Sequence, residues 1–355
     1  MSVLEGLRVL ELGAIGPVPW AAMLLADMGA DVVRIDRPGP ATKPTPTTRG
    51  RTTVQADLKA PQGLQAAREL LAGADVLLEG MRPGALERLG LAPEACWQLN
   101  PALVIGRMTG WGQTGPLADR AGHDINYIAL SGVLHSIGRD KPVPPLNLVG
   151  DYGGGGAFLL IGVLGAVLSA RQNGKGRVVD AAMVDGSASM MTLAYERLMQ
   201  DRWRDERGVN LLDGGVPWYD VYETKDGRYM AVGCNEPQFY RIFLEGLGLV
   251  VSEVPDRDQP SHWPALRAQF AARFAQRTRD EWAAVFEPLD ACVTPVLSML
   301  EAPRHPHNVA RATFRQFEGH VVPGPAPRFE GEQAALSANG PTLSPEAALA
   351  RWTTR

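Results

Sequence analysis

Arg8-Val-Leu-Glu-Leu12, Gly13-Ala-Ile-Gly16, Pro17-Val-Pro-Trp20 and, after an Ala/Leu/Met-rich run, Asp31-Val-Val-Arg-Ile35 are the segments whose reading decides the fold. The first and last are short apolar runs of the kind that form buried strands. Between them a glycine-bounded turn leads into Pro17 and Pro19, residues suited to the first turn of a helix. A helix over 20–28 then carries Ala21, Ala22, Leu24, Leu25 and Met28 on a broad apolar face, and Gly29 stops it. Strand, helix and strand make a βαβ unit.

The same rhythm continues outward. A Pro/Thr/Arg-rich surface loop is expected over 40–53, an extended segment over 55–59, a helix over 62–71 and a strand over 75–79. The loop Gly80-Met-Arg-Pro-Gly84, a short helix over 86–89 and a strand over 103–107 follow. Alternating strands and helices of this size predict an α/β fold with an open, mostly parallel sheet. In such sheets ligands sit beyond the carboxyl ends of the strands. Arg37, Arg82 and Arg88 all lie at or just past strand ends, so that rim is a candidate anion site. Gly13-x-x-Gly16 with Asp36 partly resembles a dinucleotide fingerprint, but it lacks the remaining glycine, and Pro17 crowds the pyrophosphate position.

Further along, a helix buried on most faces is expected from after Asp151 to about Arg171, and its most apolar stretch, 157–170, is too short to span a bilayer. A strand over 176–180 and a long helix over 183–199 come next, then a polar connector over 200–217. Composition changes at about 218. Trp218 to Val232 reads as a β-hairpin around Asp226-Gly227, and helices near 239–245, 262–275 and 279–289 follow in a smaller α+β domain. From about 321 the chain is Pro/Gly-rich and ends in a polar tail.

The 355 residues suffice for two domains. A net charge of −4 without basic clusters argues against nucleic-acid binding. Cys96, Cys234 and Cys292 are odd in number and lack a Cys-x-x-Cys, which suggests free thiols in a reducing compartment, and a cytoplasmic location is expected. No metal site is expected. His305 and His307 form a pair among prolines with no third ligand. The amino-terminal segment has no secretory pattern, no membrane partner is expected, and Thr353-Thr354-Arg355 is not a peroxisomal address.

Three residues are candidates for chemistry. His123 in Gly122-His-Asp-Ile-Asn-Tyr127 opens an apolar segment, and Asp151 in Leu148-Val-Gly-Asp-Tyr-Gly-Gly-Gly-Gly156 precedes a glycine run. An imidazole and a carboxyl that meet in one pocket can transfer protons. Glu236 precedes Pro237. Each also has a structural reading: a surface or core histidine, a helix N-cap with glycines for close packing, and a helix-start residue. Spacing alone leaves these open.

The longer motifs go further. Glu5-Gly-Leu-Arg-Val-Leu-Glu-Leu12, Gly29-Ala-Asp-Val-Val-Arg-Ile-Asp-Arg-Pro38, Gly110-Trp-Gly-Gln-Thr-Gly-Pro116 and the His123 segment resemble the α-methylacyl-CoA racemases of the family III CoA-transferase superfamily. So do Pro144-Pro-Leu-Asn-Leu-Val-Gly-Asp-Tyr-Gly-Gly-Gly155, Gly176-Arg-Val-Val-Asp-Ala-Ala-Met-Val-Asp-Gly186 and Ala231-Val-Gly-Cys-Asn-Glu-Pro-Gln-Phe-Tyr240. The resemblance runs from residue 5 to about 330.

It implies a large Rossmann-like domain over 1–186 completed by 326–355, a linker over 187–217, and a small α+β domain with a linker back over 218–325. It implies an interlocked homodimer with active sites shared between chains. CoA would be part of the substrate, with no separate cofactor. The implied CoA contacts are Arg37, Ala56, Asp57, Leu58, Lys59, Gly80, Met81, Arg82, Pro83, Gly84, Ala85 and Arg88, with Gly122, His123, Asp124, Ile125, Asn126 and Tyr127.

The implied reaction interconverts (R)- and (S)-2-methylacyl-CoA through an enolate. His123 and Asp151 serve as opposed acid/base residues, and Glu236 orients the His123 ring. A free Asp, with a pKa of about 3.9, is a poor donor near neutrality, so burial must keep Asp151 protonated. The N–H groups of a helix opening after Asp151 would hold the enolate oxygen, and the glycines would let the thioester approach. The rival within the superfamily is a CoA-transferase, with Asp151 as nucleophile. A nicotinamide-linked oxidoreductase and a non-catalytic acyl-CoA-binding module are the more distant alternatives.

Overall fold

The computed structural model describes residues 2–40, 44–330 and 336–353. Parts of the Pro/Thr/Arg-rich loop (41–43), the polar tail (331–335) and the terminal 354–355 lie outside the described residues. By contacts the chain divides into two units.

The first unit comprises Met1–Val133, Pro144–Thr192 and Pro306–Arg355. Its sheet contains β1 (Arg8–Leu12), β2 (Asp31–Asp36), β3 (Arg51–Gln55), β4 (Val76–Glu79), β5 (Val104–Thr109) and β6 (Val178–Ala182). All pairings are parallel, in the order 3-2-1-4-5-6, with a late strand, Thr342–Leu343, added beside β3. This is the doubly wound order, and its switch point lies between β1 and β4. Both faces are covered, so the central strands read as continuous buried runs. Leu7, Val9, Val76, Leu78 and Val104 share a core with the helices Pro17–Asp27 and Phe158–Asn173. Leu10, Leu12, Val33, Leu77 and Ile105 share another with the helices Pro61–Gly73 and Pro345–Thr353. In the latter, Ala348 and Trp352 are fully buried, so the end of the chain is part of the core. Each such large apolar side chain contributes roughly 1.5–3 kcal/mol.

Three expectations change here. The loop expected over 40–53 ends early, because β3 begins at Arg51. Arg51 is buried, and its Nε donates to Glu11 Oε2 on β1 at 2.9 Å. The helix expected from after Asp151 to about Arg171 opens earlier, and is π-helical over Leu148–Ala157 and α-helical over Phe158–Asn173. By length and composition alone that run could cross a membrane. Its buried face (Leu159, Val163, Ala166 and Val167) packs in the sheet core, whereas Ile161 and Leu168 are about two-thirds exposed, so it is not buried on most faces. The helix expected over 183–199 is two, Met183–Met190 and Thr192–Met199.

The second unit comprises Leu134–Val143 and Leu193–His305. β7 (Tyr219–Glu223) and β8 (Tyr229–Gly233) form the expected hairpin, and β9 (Val293–Pro295) extends it antiparallel. Phe243, Phe270, Phe274, Trp282 and Phe286, from three helices, pack with Tyr222 as its core. Residues 134–143, expected in the large domain, belong to this unit: Arg139 ion-pairs with Asp220 at 2.6 Å and also donates to the Gly214 carbonyl. Residues 306–325, expected in the small domain, group with the first unit, where β10 (Phe314–Phe317) and β11 (His320–Pro323) form a hairpin.

Candidate active site

The loops following β1 and β4 meet at the switch point and line two cavities. The first, of about 430 Å³, is bounded by Ile15 to Val18, Gly80 to Pro83, Met108 to Trp111, Ala118, Arg120 to His123, Tyr127, Asp151 and Met183. His123 and Asp151 therefore face one space within the first unit.

His123 is held by the opening of the helix Asp124–Leu130, for which it is the N-cap. Its N–H donates to Asn126 Oδ1 at 3.0 Å, and its carbonyl accepts the Asn126 N–H at 2.8 Å. The hydroxyl of Tyr127 donates to the Gly122 carbonyl. The Tyr127 ring fits only because two neighbours lack a Cβ. On Gly110 a Cβ would lie 2.0 Å from that ring, and on Gly122 it would lie 2.7 Å away. Trp111 packs edge-on against the other side at 4.8 Å.

Asp151 lies in the π-helical stretch, a distortion that recurs at functional sites. Its N–H donates to Asp124 Oδ1 at 2.8 Å, and its Oδ2 is 3.4 Å from Asn147 Nδ2. Burial pushes the Asp151 carboxyl above its ordinary range. The Asn147 contact opposes this, the nearby Asp124 charge reinforces it, and His123 opposes it.

Two details of the expected oxyanion arrangement are corrected. The helical run opens at Leu148 rather than after Asp151, so the N–H groups there are already engaged: that of Asp151 by Asp124 and that of Tyr152 by the Asn147 carbonyl. The glycines are used for packing rather than for approach by a ligand. A Cβ on Gly154 would meet Ser187 N at 2.5 Å, and one on Gly156 would meet the Trp20 ring at 2.6 Å. The close-packing reading of this run is the correct one.

The second cavity, of about 940 Å³, runs along the carboxyl ends of β1, β2 and β3. Arg37, Ala56, Asp57, Leu58, Lys59, Met81, Ala85 and Arg88 line it, with Arg34 and Asp36. Arg37, Lys59 and Arg88 are exposed cations. Gly80, Arg82, Pro83 and Gly122 line the first cavity instead, and Ile15 and Met81 line both. Gly84 sits beside the Arg88 guanidinium. Asp124 is buried against Asp151, Asn126 caps the helix, and Ile125 is exposed.

Glu236 belongs to the second unit, apart in sequence and unit from the other two candidates. It is the exposed N-cap of the helix Pro237–Gly246. Arg257 fixes that turn: Nη2 donates to the Asn235 carbonyl at 3.1 Å, and the guanidinium lies 4.5 Å over the Tyr240 ring.

Sequence reasoning missed Asp124 as the partner of Asp151, and it missed the buried charges Glu11, Glu79 and Arg107. The signal for the last three was present: a charged residue set inside an otherwise apolar strand near its carboxyl end.

Residues 4–346 match CoA-transferase family III. The chain is 46% identical over 327 residues to alpha-methylacyl-CoA racemase of Mus musculus, covering 92% of this chain and 85% of the mouse protein. It is 45% identical to the protein of that name from Homo sapiens, covering 91% and 86%. A CAIB/BAIF family protein from Brucella suis, 24% identical, shares the fold over 100% of both chains with a TM-score of 0.84.

Proposed function

The chain belongs to CoA-transferase family III, and from that premise we propose that it interconverts (R)- and (S)-2-methylacyl-CoA by moving the proton on carbon 2. The observation that carries this reading is that His123 and Asp151 line one cavity, with the Asp151 carboxyl raised by burial. Racemisation needs a base on one face of carbon 2 and an acid on the other. A neutral imidazole removes the proton and a protonated carboxyl returns one, and the two exchange roles in the reverse direction.

The helix Pro17–Asp27 opens at the cavity, and its dipole favours negative charge on the enolate oxygen. Arg37, Lys59 and Arg88 take the phosphates of CoA in the larger cavity. No separate cofactor takes part. Glu236, supplied by a second copy of the chain, orients His123 and stabilises the imidazolium. The exposed apolar residues Ile161 and Leu168 support association into such a homodimer. A cytoplasmic location agrees with the free thiols of Cys96, Cys234 and Cys292.

The transferase alternative needs Asp151 ionised as a nucleophile, and a carboxyl pushed upward by burial is less suited to that role. Incubation of one enantiomer of a 2-methylacyl-CoA in deuterated water tests the choice. Loss of optical purity with deuterium at carbon 2, and no acceptor acid, is expected. Label that enters only when a second carboxylic acid is supplied, or not at all, refutes the racemase. His123→Ala and Asp151→Ala should each lower racemisation by about 10²–10⁴-fold while keeping the fold, as checked by circular dichroism.

A further inference from the structure

Behind the loop following β4 lie three charged side chains that no step of the proton transfer uses. Glu79 ends β4, and Arg107 stands beside it in register on β5. Glu87 comes from the short helix Ala85–Arg88. Arg107 Nε donates to Glu79 Oε1 at 2.9 Å, and its two terminal nitrogens reach Glu87 at 2.8 and 3.3 Å. The second Glu79 oxygen accepts the Met81 N–H at 2.7 Å.

The Glu79 side chain is 0% exposed and that of Arg107 7%. Burying such groups is costly, and the Coulomb return often only offsets the loss of hydration. Burial also pushes the Glu79 carboxyl upward, against the Met81 N–H and Arg107. The benefit of such a cluster lies in position rather than in net stability.

What it positions is specific. Met81, hung from Glu79, lines both the cation-lined cavity and the His123/Asp151 cavity. Glu87 precedes Arg88, whose side chain lies against Gly84 and lines the larger cavity. The cluster, buried at Glu79 and Arg107 and exposed at Glu87, thus ties together the segment that carries Met81 and the one that carries Arg88.

We propose that Glu79, Arg107 and Glu87 are positioning residues for the CoA part of the substrate. Glu79 sets Met81 where the thioester arm passes between the cavities, and Glu87 sets Arg88 on the phosphates. The inference rests on the CoA-ester reading above.

Glu87→Ala, Glu87→Gln and Arg107→Lys would be compared with wild type for free-CoA affinity by calorimetry, for KM and kcat, and for thermal unfolding. Glu87→Ala should weaken free CoA binding and raise KM for the CoA ester by at least about tenfold, with kcat within about twofold. Its KM for the pantetheine thioester of the same acid, which lacks the nucleotide, should not change. Glu87→Gln, which still accepts a hydrogen bond, should recover most of the loss. Arg107→Lys, which loses the planar fork, should raise KM for both thioesters.

Wild-type CoA affinity in both Glu87→Ala and Arg107→Lys overturns the proposal. So does a parallel fall in activity and folded fraction with KM unchanged. A wild-type protein that binds CoA but moves no deuterium defeats the racemase reading and leaves the positioning role to stand on the calorimetry. One that does not bind CoA defeats both.

Discussion

Asp124 Oδ1 accepts the backbone N–H of Asp151 at 2.8 Å across 27 positions of sequence. The bond joins the segment that carries His123 to the one that carries Asp151. It also brings a second, buried carboxylate beside the Asp151 carboxyl. Burial and then this neighbour raise the Asp151 pKa, so one contact both places the group and helps keep its proton.

Asp124→Asn separates those effects, because the amide oxygen still accepts the N–H while the charge is gone. In the direction in which Asp151 gives up a proton, kcat falls as pH rises through the Asp151 pKa. Without the Asp124 charge that limb should move to lower pH. The pH profile of kcat, followed by optical rotation, reads it, and an unmoved limb means that Asp124 acts on the backbone alone.

The raised Asp151 pKa also bears on stability. Its folded-state pKa lies above the unfolded value, so its contribution is fully present below the unfolded pKa and is lost as pH rises through the folded pKa. As pH rises through the folded pKa the half-buried group ionises and becomes a burden on the fold. Asp151→Asn should therefore melt higher than wild type at pH 8 and close to it at pH 4 while losing racemisation, a trade of stability for activity at the site. Equal differences in Tm at the two pH values would contradict the direction of the shift.

The succession of strands and helices was legible because β1, β4 and β5 are apolar runs with turn residues at their ends. His123 beside an apolar segment and Asp151 before a glycine run stood out as candidates, and the longer motifs around them gave the role that spacing left open. What escaped depends on partners distant in the chain. β3 begins with an arginine that looks like a surface residue until Glu11, on another strand, neutralises it. The opening of the helical run at Leu148 was hidden by the Pro144-Pro145 segment before it and by π geometry, which apolar periodicity does not encode. The Asp124 side chain is polar, next to a candidate base, and still buried; only folding of the Asp151 segment onto it makes that placement favourable.

The glycine run is a packing surface, so a single methyl group should disturb the site. A Cβ on Gly154 would lie 2.5 Å from Ser187 N and 2.9 Å from the Met183 carbonyl, backbone atoms that cannot swing aside. Gly154→Ala should cost about 1–3 kcal/mol of stability and lower kcat by shifting Asp151. Urea denaturation and steady-state kinetics read the two effects. A variant as stable and as active as wild type would mean that the helix Met183–Met190 can move away at no cost.

Arg37, Lys59 and Arg88 line the larger cavity as exposed cations, whereas His123 and Asp151 belong to the smaller one. Loss of one phosphate contact should act on binding and not on the chemical step. Arg88→Ala should raise KM for the CoA ester by about tenfold or more and leave kcat largely as it was. Because the interaction is between charges near solvent, added salt should raise the wild-type KM and should raise that of the variant less steeply. With the pantetheine thioester, which carries no nucleotide phosphates, neither the substitution nor the salt should change KM. If Arg88→Ala instead lowers kcat with both thioesters, the arginine acts at the reacting carbon and the division of labour between the two cavities fails.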